Sequence, residues 1–153
     1  MMNIEKGILL PIVASIANYY ATTLSIWFGH WFSHLQWSPL RDFHLKGHHT
    51  IYPNSQNIRS DIFRYGHGKY DSNFALLPWL VLQTILEYVC FPLSIFAVCL
   101  IQTIVITTLV GCTHIQFHVR RSKLDRFKWF LKARKRHEHH HNLNVNFMVA
   151  DHF

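Results

Sequence analysis

GILLPIVASIANYYATTLSIWFG, residues 7–29, runs for 23 positions without an Asp, Glu, Lys or Arg. A helix of about 20 apolar residues spans a bilayer core, so this stretch is expected to cross a membrane. A cleaved signal peptide is the rival, but its apolar region would be about 7–15 residues long and would end in a small-x-small cleavage site, which is missing here. The next apolar stretch, residues 74–113, is 40 residues long with Glu87 as its one charge, twice what a single crossing needs. The residue before a proline disfavours helix and proline suits a helix's first turn, so Pro92 divides the stretch. A hairpin is expected, with helices at about 74–89 and 92–118 and a corner at residues 88–92. The expected fold class is all-α: an integral membrane helical bundle of about three transmembrane helices, one span plus a hairpin.

The chain has 153 residues, 50% of them hydrophobic and 15% charged, enough for one domain and too apolar for a disordered tail. Cys90, Cys99 and Cys112 lie in apolar runs, an odd number without a CxxC pair, which excludes a disulfide framework and a thiolate zinc site. Fifteen Lys+Arg against eight Asp+Glu leave a net charge of +7. Fourteen of those fifteen bases fall in residues 30–73 or 114–153, so the charge reads as a positive-inside topology signal, with both polar segments cytosolic. Nucleic-acid binding is not expected, because the bases flank membrane spans and no recognisable binding fold is present. The basic stretch at 120–136 is expected to be a positive-inside flank or to meet lipid headgroups or an acidic electron donor.

Thirteen histidines are present, where a typical share of about 2% would give roughly three. The hairpin returns the chain to the side it left, so all of them share the cytosolic face. His30 and His34; His44, His48 and His49; His114 and His118; and His137, His140 and His141 form clusters at helical spacing, with each spacing of three or four aiming imidazoles in one direction. His139 occupies a spacer position, while His67 and His152 stand alone as interfacial or capping residues. Neutral imidazole binds iron, zinc, copper and nickel. Ten ligands exceed what one ion can use, and five for each of two ions leave positions open for oxygen, whereas a structural zinc is closed by four. A dinuclear centre is the economical expectation.

In this order, HxxxH (His30, His34), a histidine followed by a His-His pair (His44, His48, His49), HxxxH (His114, His118) and HxxHH (His137, His140, His141) resemble the histidine boxes of the membrane fatty acid hydroxylase / sterol desaturase superfamily. The tail HEHHHNLNVNFMVAD is similar to that family's last box and the Asn-rich run after it, and the resemblance covers about residues 25–153. It implies one fatty acid hydroxylase-like domain over residues 1–153, with two iron ions held by those ten histidines. It also implies O2 as co-substrate, a fatty acyl, sterol or similar lipid as substrate, and electrons from a donor such as cytochrome b5 or ferredoxin. The membrane would be the endoplasmic reticulum in a eukaryote and the inner membrane in a bacterium. The second box here is HxxxHH where the family usually has HxxHH, and its i,i+4 spacing is expected to keep His44 and His48 on one helical face. Relatives usually have a hairpin before the first box and continue beyond the position of Phe153, so an inactive fragment or a metal-binding membrane protein stands as an alternative.

The string His137-Glu138-His139-His140-His141 also satisfies HExxH, the zinc motif of a metalloprotease with Glu138 as general base. An intramembrane protease would leave seven other clustered histidines unexplained. A transporter would place its polar ligands near mid-bilayer, whereas these lie outside the apolar runs. Among weaker signals, Asn142, Asn144 and Asn146 are expected to cap the last helix or to hold ligand imidazoles from behind. Tyr52-Pro53 reads as a turn, Glu87 as a residue near the far interface, and Trp27, Trp31, Phe32 and Trp37 as an interfacial belt.

Overall fold

The computed structural model describes residues 4–53, 57–64 and 75–143. His67, Asn144, Asn146 and His152 lie outside them. The first helix, α1 (Ile4–His34), runs 31 residues, about 46 Å at the usual rise, and so carries the first apolar run and the first histidine box on one continuous rod. A short helix α2 (Arg41–His44) opens directly into one turn of π-helix (Leu45–His49). The hairpin follows as α3 (Leu77–Cys90) and α4 (Leu93–Phe117), with its corner at the expected place: Phe91 is extended and Pro92 caps α4. A 3-10 turn (Lys123–Arg126) leads into α5 (Lys128–Leu143). Among the described residues there is no strand, only an isolated parallel bridge between Ser60 and Val119.

Two helices are long and apolar enough to cross a membrane, Leu9–His34 within α1 and all of α4. At 14 residues, α3 extends about 21 Å, short of a bilayer core of about 30 Å. It packs beside α1 and α4. The outward faces are apolar: Leu10, Ile16, Leu24, Ile85, Ile101 and Val105 are all exposed. Such surface suits lipid, whereas a soluble monomer rarely shows an apolar patch of more than a few hundred Å².

The interior between these helices is partly polar. Asn18 Nδ2 donates to the Cys99 carbonyl (3.0 Å) and to Gln102 Oε1 (2.9 Å), while Asn18 Oδ1 accepts from Gln83 Nε2 (3.0 Å) and from the Thr103 hydroxyl (3.1 Å). Thr22 joins through Thr103, 3.1 Å away. Asn18, Gln83 and Thr103 sit near the middles of α1, α3 and α4, so one buried layer ties the three helices together. Below it, Ala14, Ile95 and Cys99 close together against Phe91. Glu87 is one turn from the hairpin corner, as its far-interface reading implied, but it faces the bundle: it is buried and accepts a hydrogen bond from Gln83 (2.7 Å).

On the histidine side, Arg134 fastens α5 to the end of α4. Its guanidinium is buried, donates to the carbonyls of Gln116 (2.7 Å) and Val119 (3.1 Å), and pairs with Asp125 (2.6 Å). A cation on the unfilled carbonyls of a helix C-terminus satisfies both acceptors and the helix dipole. This base of the 120–136 stretch therefore works inside the protein. Ser60 straps residues 57–64 across the same helix end, its N–H donating to the His118 carbonyl (2.8 Å) and its carbonyl accepting from the Arg120 N–H (3.0 Å).

Candidate metal centre

All ten sequence-selected histidines converge at one end of the bundle. His30, His34, His44 and His140 place their ligand nitrogens within 4.8 Å of one another, as do His48, His114, His118 and His137. The remaining two complete these sets. His49 Nε2 lies 3.1 Å from His44 Nε2 and 3.0 Å from His140 Nε2. His141 Nε2 lies 3.1 Å from the Nε2 atoms of both His48 and His137. Two shells of five can thus be drawn, one of His30, His34, His44, His49 and His140, the other of His48, His114, His118, His137 and His141, and His49, His140 and His141 form a further set within 4.8 Å that bridges them. The rings of His49 and His141 stack at 4.2 Å along the seam between them. His139 is exposed, as its spacer position requires.

The second box reaches both shells because of the π-turn. In an α-helix a residue five positions on is rotated by about 140°, so His44 and His49 would point apart. A π-turn, with its i→i+5 hydrogen bonds, stacks residues five apart instead. The Thr50 N–H donates to the Leu45 carbonyl (2.8 Å), and the Thr50 hydroxyl reaches the same oxygen (3.0 Å). His44 and His49 thereby enter one shell while His48 enters the other. His44 and His48 keep the common face their spacing implied, with rings 5.5 Å apart, while each belongs to a different set.

Two main-chain carbonyls fix the protons. His118 Nδ1–H donates to the Ile58 carbonyl (2.8 Å) and His141 Nδ1–H donates to the Tyr52 carbonyl (2.6 Å). A carbonyl can only accept, so both rings carry their proton on Nδ1 and present a bare lone pair at Nε2. His137 Nε2 then faces two bare lone pairs, at His118 (2.9 Å) and His141 (3.1 Å). One proton cannot point at both. A cation among them satisfies every nitrogen, and the spacing fits: ligands about 2.1 Å from an ion stand about 3.0 Å apart at right angles and about 3.4 Å apart in a tetrahedron. The 2.9–3.1 Å separations of these pairs are of the size that ligands of one ion keep.

Electrostatics keep these ligands neutral. Burial, followed by the mutual repulsion of neighbouring imidazoles, holds His44, His48, His118 and His137 well below the usual histidine range. His49 moves the same way, and burial together with the nearby His140 lowers His141 to about 3. The histidine clusters can thus hold metal ions without first losing protons.

Sequence reasoning missed the carbonyl partners. Beyond the turn expected of it, Tyr52 holds His141 through its carbonyl, stacks on the His118 ring at 4.1 Å, and accepts from the Arg64 N–H at its hydroxyl (2.6 Å). Ile58 was not singled out, since a carbonyl's role leaves no trace in residue type. Asn142 is exposed at the end of α5. Glu138 of the HExxH string is ion-paired with Arg59 and belongs to neither shell.

A cavity of 270 Å³ opens beside the centre, where the short α3 leaves space between α1 and α4. Ile26, Leu77, Leu80 and Val110 form apolar walls, and His30, His44 and His114 close one end, so the cavity touches both shells. Compared with known proteins, the chain matches no family model, no curated protein and no solved structure.

Proposed function

We propose that this chain is a membrane di-iron oxygenase that hydroxylates or desaturates a lipid C–H bond with O2 and electrons from an external donor such as cytochrome b5 or ferredoxin. One observation carries the reading: two adjoining five-histidine shells, each a set of neutral imidazoles, at the end of an apolar cavity between helices that suit a bilayer. Ten histidines bind the ions, the Ile58 and Tyr52 carbonyls orient His118 and His141, and the apolar walls keep water from the reacting carbon. Bound as a pair, the irons supply the oxidising power that an unactivated C–H bond demands. The chain supplies neither nucleophile nor general base. In this reading α3 and α4 form the second and third membrane elements, the histidine face is cytosolic, and the substrate is of fatty acyl or sterol type.

The protease reading has less support, because Glu138 is engaged by Arg59 and ten histidines exceed the needs of one zinc. The test is metal counting and oxygen consumption on the detergent-purified chain after anaerobic loading. Two irons per chain, with oxygen uptake on adding a reductant, are expected. His34→Ala and His141→Ala, one in each shell, should each weaken a single ion by at least about 100-fold and abolish turnover while membrane insertion persists. Full iron retention in inactive His141→Ala would rule out its role as a ligand, and a single tightly held zinc in the parent would turn the assignment to the protease.

A further inference from the structure

Two glycines facing α3 and α4 behave in opposite ways. A Cβ on Gly29 of α1 would meet the Trp79 side chain at 2.6 Å, so that glycine is required for close packing of α1 on α3. A Cβ on Gly111 of α4 would meet nothing within 4 Å. Gly111 lines the 270 Å³ cavity one turn before His114, so the open space above it is the cavity itself. Thr107, on the same wall one turn earlier, turns its hydroxyl back to the Thr103 carbonyl (2.8 Å). The wall is therefore apolar up to the histidines, and a polar headgroup finds no partner along it.

We propose that this cavity takes the tail of a single unbranched alkyl chain, and that Gly111 determines how far the chain reaches along the histidine end. This rests on the oxygenase reading and narrows its substrate class. The 270 Å³ between these apolar walls accommodates a segment of one chain. A flexible chain threads between these walls one group at a time, whereas a rigid fused-ring body must enter whole. The glycine is a specificity determinant because any side chain there occupies ligand space without displacing protein.

The experiment uses hexadecanol carrying a diazirine near its methyl end, photolysed with the full-length purified chain and mapped by mass spectrometry, with iron counted in the same sample. Labels are expected on Leu80 and Val110, removed by excess hexadecanol and not by cholesterol. Gly111→Leu should lower that labelling about tenfold or more with iron retained. Leu80→Trp, filling the cavity from the opposite wall, should do the same and guards against a fold defect peculiar to position 111. Equal competition by cholesterol, or unchanged labelling in both variants, overturns the proposal. Iron bound with no label in the cavity defeats the chain site and leaves the oxygenase standing, whereas a labelled cavity in a chain that never binds iron defeats the oxygenase.

Discussion

The two ends of this molecule bury polar groups by opposite means. In the apolar half, amide and hydroxyl donors bridge neighbouring helices: the Asn18 and Gln83 amides and the Thr103 hydroxyl link three of them, with Gln83 Oε1 and Glu87 Oε2 left over as acceptors. In the histidine half, Nε2 of His118 and His141, their protons fixed elsewhere, face further ring nitrogens near 3 Å. The first arrangement uses groups the chain already has. The second calls for cations from outside, since like lone pairs repel and burial makes a proton costly. Polarity alone thus does not mark a site; what marks it is the convergence of many ring nitrogens on one place.

Acid should separate the two halves most strongly. The metal-free histidines are depressed when folded and ordinary, near 6.5, when unfolded. The unfolded chain therefore binds more protons below that value, and stability present above about pH 6.5 is lost as pH falls toward the folded values. For His141, lowered to about 3, the slope is about 1.4 kcal/mol per pH unit in that window, and the other four add in the same direction. Thermal melts of the metal-free protein from pH 7.5 to 5 should show a falling midpoint. A flat profile would mean that the imidazoles are not buried together.

Chelation is the next largest lever. An ion present at about a thousand times its dissociation constant stabilises the folded state by about 4 kcal/mol, so a strong chelator should lower the melting temperature and iron should restore it. The loss should be concentrated in the histidine half, as slower-exchanging amides of α5 become fast while α1 and α4 near Asn18 stay protected. Uniform exchange would show that the halves are one cooperative unit.

Composition made the membrane half legible, because an uninterrupted apolar run and a proline at position 92 leave few alternatives. It also made the ten converging histidines legible, since histidine spacing survives as long as helices carry it. Three physical facts were hidden. The π-turn at Leu45–His49 depends on one hydrogen bond's register, which residue type does not encode. The carbonyls of Tyr52 and Ile58 act through the main chain, common to every residue. The division into shells of five emerges only when α5 is docked, as its His137 and His140 share a helix yet enter different shells. The hairpin corner was visible, but the later start of regular helix, at Leu77 rather than near residue 74, was not, and Leu77 and Leu80 of that first turn line the cavity.

The smallest effect probes the membrane half by itself. Asn18→Leu removes the amide that joins Cys99, Gln102 and Gln83, and replaces it with a side chain of similar size. Interhelical hydrogen bonds in membranes average about 0.6 kcal/mol and reach about 1–2. The expected destabilisation is therefore about 1 kcal/mol, with iron content and the pH profile unchanged, because Asn18 lies three turns of α1 below His30. A double-mutant cycle with Gln83→Leu should give a coupling of similar size, as the two amides are in direct contact. Loss of iron in Asn18→Leu would break the comparison, since the polar layer would then be holding the histidines in place through the length of α1 as well as joining the helices.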